Sequence, residues 1–172
     1  AAVVNQTPLA WDSNAAHITE AISQARALGV TALCLPEMCI PGYGVEDFYH
    51  ATGVVQTAWT QLESLVEATH GMIVSFGLPV MHHGGLYNTV ALACDGKLLG
   101  LVPKRHLAGD GLHYEPRWFN PWPEGAVSHV TRGDTTIPIG DLHFDCGGIK
   151  IGFEVCEDAW VAERPGAALS RQ

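Results

Sequence analysis

Three side chains of this 172-residue chain could together attack an unreactive carbonyl: Glu37, Lys104 and Cys156. A thiol becomes a strong nucleophile once a base takes its proton, and the carbonyl oxygen that then gains charge needs a fixed positive group beside it. Glutamate, lysine and cysteine supply base, positive group and nucleophile without a histidine. Each stands just past an apolar, strand-like run: Glu37 after Val30 to Leu35 and Pro36, Lys104 after Lys97 to Val102 and Pro103, Cys156 after Ile149 to Val155. A rigid sheet can aim residues on the loops at its strand ends toward one point. Taken singly, the competing readings are a core cysteine and two solvated surface charges. Their shared position at strand ends favours a site.

The elements that must hold these residues follow from periodicity. Ile149, Ile151, Phe153 and Val155 alternate with other residues as in a half-buried strand, and Gly152 admits a close neighbour. Glu157 and Asp158 then read as the acids that open a helix, whose N-terminus favours a thiolate at Cys156. Further back, Ala1 to Asn5 reads as a buried strand met in its middle, without an initiator Met. Asp12, Ser13 and Asn14 are N-cap candidates for a helix with Ile18, Ala21, Ile22, Ala25 and Leu28 on one face, closed by Gly29. Ile40 to Gly44 is loop, and Glu46 and Asp47 start a short turn. Val54 to His70 carries a second helical stripe in which Trp59 is ordinary packing. Met72 to Phe76 is a strand, and Leu86 to Cys94 pairs antiparallel with Lys97 to Val102 through the hairpin signal Asp95-Gly96. The Gly-, Pro- and Trp-rich stretch from Arg105 to Ser128 is too long for an idle loop and reads as a structured wall of a site. Ile137 to Phe144 is a further strand candidate. No repeat or internal boundary appears, so residues 1–172 read as one domain.

Composition narrows the partners. Hydrophobic content of 47% with 16% charged residues describes a folded globular chain. A net charge of −9 without a Lys/Arg cluster argues against nucleic acid and membrane surfaces. No apolar run approaches the ~20 residues of a membrane span. The five cysteines include no CxxC pair, which argues against a disulfide framework or a zinc knuckle and fits the reducing cytoplasm. A metal site built from His82 and His83, or from His106, His113 and Cys146, lacks workable ligand spacing, so no metal is expected. His82 to Gly85 reads instead as an exposed turn.

Leu35-Pro36-Glu37, Gly42-Tyr43, Pro103-Lys104 and Val155 to Trp160 occur in the order found in the nitrilase superfamily of carbon-nitrogen hydrolases, which the sequence resembles over nearly its whole length. More narrowly, Cys156-Glu157-Asp158 with Trp160, and the stretch from Lys104 to Phe119, resemble the glutaminase domain of glutamine-dependent NAD synthetases. The resemblance implies an α/β fold of the nitrilase type, an alpha-beta-beta-alpha sandwich, here incomplete on its C-terminal side. It implies that Cys156 attacks the glutamine side-chain amide, Glu37 serves as base and then acid, and Lys104 steadies the oxyanion. It also implies that Glu115 holds lysine and substrate, and that Tyr43, Glu157 and Trp160 contact substrate. The glutaminase step needs no cofactor. ATP and magnesium, with deamido-NAD, belong to a separate synthetase domain whose Ser-Gly-Gly-x-Asp-Ser phosphate loop does not occur here, so the chain reads as a fragment of a longer, homo-oligomeric protein. The rival readings are a stand-alone amidase acting on another small amide, and a binding or assembly module that keeps the fold without catalysis.

Overall fold

Residues 1–171 are described by a computed structural model. In chain order the elements are α1 (Trp11–Ala27), β1 (Ala32–Cys34), α2 (Thr52–Val66), β2 (Ile73–His82), β3 (Gly85–Cys94), β4 (Lys97–Pro103), α3 (Glu115–Trp118), β5 (Val127–Arg132), β6 (Thr135–Gly140), β7 (Phe144–Asp145), β8 (Lys150–Ile151) and α4 (Pro165–Leu169). Short 3-10 turns occupy Glu46–His50, Glu67–Thr69 and Cys156–Ala159. One six-stranded sheet has the order β1-β2-β3-β4-β6-β5, parallel at β1/β2 and β4/β6 and antiparallel elsewhere; β7 and β8 form a separate two-stranded ladder.

Alternation along β2 explains how the sheet is used. Val74, Phe76, Leu78 and Val80 fall on one face and pack in a single cluster with Ile18, Ile22 and Ala25 of α1 and Ala58, Leu62 and Leu65 of α2. Each fully buried Leu or Ile there contributes about 1.5–3 kcal/mol. Trp59 packs as expected, its Nε1 donating to Glu63 at 2.7 Å. Leu28 does not join the stripe: it is the residue after the last turn of α1, 81% exposed, and Gly29 reverses the chain at φ 71°. Within residues 1–171 the two long helices thus form one layer on one sheet, the α-β part of the expected architecture.

The opposite face of β2 carries Ser75, Gly77 and Pro79. A Cβ at Gly77 would sit 2.7 Å from Pro36 O, so the loop after β1 lies directly on this glycine, and Ile40 N–H donates to Gly77 O at 3.1 Å. The strand expected to stop at Phe76 therefore runs on to His82: Gly77 is needed for the crossing loop, and Pro79 keeps its register opposite Asn88. Both β2/β3 and β3/β4 close through left-handed residue pairs, His83-Gly84 (φ 47° and 80°) and Asp95-Gly96 (φ 50° and 73°). His82 is itself buried against Ser128 Oγ at 3.0 Å, so the exposed turn is narrower than the sequence pattern implies.

Two expected strands are corrected. Ala1 to Asn5 forms no strand, and only Ala2 N–H reaches the neighbouring Cys34 O, at 3.0 Å, while Val3 is 98% exposed. Ile149 to Val155 pairs only at Lys150–Ile151, against Phe144–Asp145. Alternation marks a face but supplies no partner strand, and backbone groups without a ladder do not hold an extended run. Gly152 does meet a close neighbour, as a Cβ there would lie 2.6 Å from Leu169 Cδ1 of α4.

Candidate active site

Glu37, Lys104 and Glu115 meet over the Asn88 end of β3. Glu37 stands two residues past Leu35, in the loop pressed onto Gly77. Lys104 continues the β3/β4 ladder, its N–H donating to Asn88 O at 2.8 Å, and its O accepts from Trp122 N–H at 3.0 Å. Glu115 opens α3 and is held by Ala108, whose O accepts from Glu115 N–H at 3.1 Å and whose N–H donates to Glu115 Oε2 at 2.6 Å. The segment from Arg105 to Trp122 is thus the structured wall its composition suggests, laced to the mouths of β3 and β4.

The side chains interlock. Lys104 Nζ lies 2.8 Å from Glu37 Oε1 and 2.7 Å from Glu115 Oε2. Asn88 Nδ2 donates to the same Glu37 Oε1 at 2.6 Å and to Glu115 Oε1 at 3.0 Å. Tyr43 OH donates to Glu115 Oε1 at 3.4 Å. Lys104 is 1% exposed and Glu115 0%, so only their mutual pairing and these hydrogen bonds make the burial of such charges tolerable. An ammonium has three donors, and two are engaged here, which leaves one for an oxygen that becomes negative. Glu37 Oε2 has no hydrogen-bond partner among the described residues and is available for proton transfer. Asn88 Oδ1 is buried without a partner, because the amide must turn its NH₂ toward two carboxylates that can only accept.

Cys156 reaches this cluster from a separate turn. Its φ of 48° is left-handed, a conformation costing a non-glycine residue about 1–3 kcal/mol, and its side chain is solvent-accessible. It interacts electrostatically with Glu37, Lys104 and Glu115, and the Glu157 N–H faces the sulfur. Although the residue is accessible, partial desolvation of the sulfur pushes the thiol above its ordinary value, Glu37 and Glu115 push the same way, and Lys104 with the Glu157 amide offsets them only in part. The helix expected to open at Glu157 is only a four-residue 3-10 turn, Cys156–Ala159, so the thiol gains a single backbone amide in place of a helix N-terminus. A protonated thiol needs a base at the moment of attack. Burial likewise raises Glu37 above its ordinary value, against the opposing pull of Lys104. For Lys104 burial disfavours the charge, but Glu37 and Glu115 outweigh it and keep the ammonium protonated.

The remaining expected contacts divide. Tyr43 sits at the cluster, and beside it opens a cleft of about 430 Å³ lined by Glu46, Asp47, His113, Arg117 and Trp118. Arg117 clamps Asp47 through bonds of 2.6 and 2.7 Å, which hold that carboxyl well below the usual carboxylate range. Glu157 contributes its backbone amide. Trp160 is 81% exposed, so the structure does not bury its ring against the cluster. Asn88 and Asp158 were missed by sequence reasoning. A polar Asn in the apolar run Leu86 to Cys94 was the available signal for the first, since a buried amide requires partners.

A parallel-antiparallel sheet carries a lysine held between two carboxylates and a cysteine on a tight turn in their field, a set of groups suited to attack on an amide carbonyl. The chain belongs to the carbon-nitrogen hydrolase family, whose sequence profile matches residues 1–171. It is 32% identical to the glutamine-dependent NAD(+) synthetase of Saccharomyces cerevisiae over 178 aligned positions, covering 97% of this chain and 25% of that protein. The crystal structure of a glutamine-dependent NAD(+) synthetase from Cytophaga hutchinsonii superposes with a TM-score of 0.88 at 39% identity, covering 90% of this chain and 27% of that one. An amidase from Nesterenkonia sp. shares the fold with a TM-score of 0.58 at 22% identity, over 79% of this chain and 52% of that one. The chain spans about a quarter of the length of the synthetases it matches.

Proposed function

We propose that this chain is the glutaminase part of a glutamine-dependent NAD synthetase, and that it releases ammonia from the glutamine side-chain amide. The observation that carries the reading is the Lys104 ammonium fixed between Glu37 and Glu115, with the Cys156 thiol within their field. Glu37 takes the thiol proton as the sulfur attacks the amide carbon, and Lys104 meets the oxyanion. Glu37 then gives the proton to nitrogen, ammonia leaves, and a thioester remains on Cys156. Water, deprotonated by Glu37, attacks that thioester, the carbon-sulfur bond breaks, the thiol regains its proton and glutamate departs. Glu115 steadies Lys104, and Tyr43, Glu157 and Trp160 belong to the substrate side of the same reading.

The same reading assigns ATP, magnesium and deamido-NAD to a separate synthetase part of the full polypeptide. Lys104, Asn88 and a backbone amide engage the carboxylates of the cluster, and the sequence has no Ser-Gly-Gly-x-Asp-Ser loop. Those partners belong to further sequence in the full polypeptide, for which a cytoplasmic location and a homo-oligomeric assembly complete the proposal. Within the described residues no helix is long and apolar enough to cross a membrane.

The test is ammonia release from glutamine, asparagine and simple aliphatic amides by the full polypeptide and its Cys156→Ala variant. Glutamine is expected to be the preferred substrate. The variant should lose glutamine-dependent NAD formation completely while keeping formation driven by added ammonia. Preference for a simple amide, or glutaminase activity surviving in the variant, refutes the proposal.

A further inference from the structure

Asp158 takes part in none of the steps above, yet its carboxylate joins the two segments on which those steps depend. It is 2% exposed, and three backbone N–H groups converge on it. Oδ1 accepts from Arg105 at 3.2 Å and His106 at 2.8 Å, and Oδ2 accepts from Val155 at 3.1 Å. Its own N–H returns to Val155 O at 3.1 Å. Arg105 follows Lys104 directly in the chain, and Val155 directly precedes Cys156. One side chain therefore joins the residue that follows the ammonium to the residue that precedes the thiol.

A local cap would need only the bond to Val155. The two bonds to Arg105 and His106 cross 53 and 52 positions of sequence and do nothing for the Cys156 turn as a turn. Strand pairing does not supply the link either. Among the described residues β8 pairs only with β7, while β4 pairs with β3 and β6. A buried carboxylate is costly unless its oxygens are satisfied, and these three amides satisfy them with the stronger, charge-assisted kind of bond.

We infer that Asp158 is the positioning residue that fixes the Cys156 thiol against Lys104 and Glu37, acting through the Val155, Arg105 and His106 amides and never touching substrate. The inference rests on the reading of Cys156 as the nucleophile, and its test has an arm that needs no substrate.

Asp158→Asn in the full polypeptide keeps the size and removes one acceptor. Its single oxygen can serve Val155 or the Arg105/His106 pair, and its NH₂ then faces N–H donors on the other side. One tether must break. Turnover with glutamine should fall on the order of a hundredfold, as for displacement of a reacting group by about 1 Å, with KM changed little. In the absence of substrate, the rate at which iodoacetamide alkylates Cys156 is followed against pH. The groups facing this thiol are Glu37, Glu115, Lys104 and Tyr43, and Asp158 itself is flanked by Lys104 and His106. In the wild type the midpoint should lie above the ordinary thiol value, because partial burial and the two carboxylates disfavour the thiolate. Once released from them, the variant's midpoint should fall toward that value.

Wild-type turnover in the folded variant overturns the inference. So does lost turnover with an unmoved alkylation midpoint, which a role in stability alone would give. Should Asp158→Asn fail to fold, amide exchange in the wild-type protein decides: Arg105 and His106 must be protected to the same degree as Val155, and free exchange at either overturns the inference. A protein that prefers another amide yet shifts its midpoint as stated refutes the glutaminase proposal and supports the role of Asp158.

Discussion

The two halves of the site are built to different standards. Glu37, Lys104, Glu115 and Asn88 rest on a six-stranded sheet, and each is held by at least two hydrogen bonds or ion pairs involving its backbone or side chain. Cys156 stands on a left-handed turn preceded by a two-residue ladder, and the bonds of Asp158 tie that turn to the sheet side. The difference suits the division of labour. The electrostatic half works best when it does not reorganise, since preorganised charge is what stabilises an oxyanion. On the proposed mechanism Cys156 changes its bonding twice in each cycle and must stay open to substrate, which fits its accessible, left-handed turn.

Breaking the rigid half should have the largest effect. Lys104→Met keeps the length of the side chain and removes its charge. Losing one oxyanion donor typically costs 10²–10³ in turnover, about 2.7–4 kcal/mol. The buried Glu115 and the half-buried Glu37 would then face each other, and loss of one partner from a buried ion pair destabilises a fold by about 3–5 kcal/mol. Glutamine turnover and thermal melting of the full polypeptide check both effects. A variant as stable as the wild type with weakened substrate affinity alone would mean that Lys104 binds substrate without acting on the transition state.

A second contrast compares the packing beneath each half. Leu62 is fully buried between α2 and β2, and Leu62→Ala should destabilise by about 2–5 kcal/mol in denaturant titration. Ile149, at the start of the Cys156 segment, is 70% exposed, and Ile149→Ala should stay within about 0.5 kcal/mol. Equal losses at the two positions would erase the distinction between a packed half and a tethered one.

The same distinction governs what could be read from sequence. Local signals sufficed on the packed half. Asp95-Gly96 specifies its hairpin by the left-handed φ both positions adopt, and the spacing of Ile18, Ile22 and Ala25 specifies the face of α1. The residues on the loops after β1 and β4 were found because strand ends and family resemblance pointed to them. The Cys156 segment was misjudged because Ile149 to Val155 has the alternation of a strand, and alternation cannot report whether a neighbouring strand exists to pair with. β5 was missed for the converse reason, since Val127–Arg132 shows little apolar alternation and is held by its ladder to β6. Asn88 and Asp158 were not legible as site residues because the partners that tie them into the site lie 27 to 53 positions away, and hydrogen bonds of that kind leave no periodic trace.

The smallest expected effect on turnover sharpens the comparison most, because it probes rigidity without removing a charge. Asn88→Leu replaces the amide by a side chain of similar size. It deletes the bonds from Nδ2 to Glu37 Oε1 and Glu115 Oε1, but it also deletes the buried Oδ1 that has no partner. The second change offsets part of the cost of the first, so the fold should tolerate the substitution. Lys104 still bridges both carboxylates, so turnover near neutral pH should change modestly. The acid limb of kcat/KM is where the change should show. On the proposed mechanism Glu37 must be ionised to take the thiol proton, so activity should fall as pH drops through its pKa. Burial already raises that pKa above the ordinary carboxylate value, Lys104 opposes the rise, and the Asn88 hydrogen bond opposes it further. Without that bond the carboxylate is less favoured, the pKa climbs, and the acid limb moves to higher pH. An acid limb that stays in place, or moves to lower pH, would show that Asn88 does not tune Glu37, and that the firmness of the sheet-borne half comes from Lys104 alone.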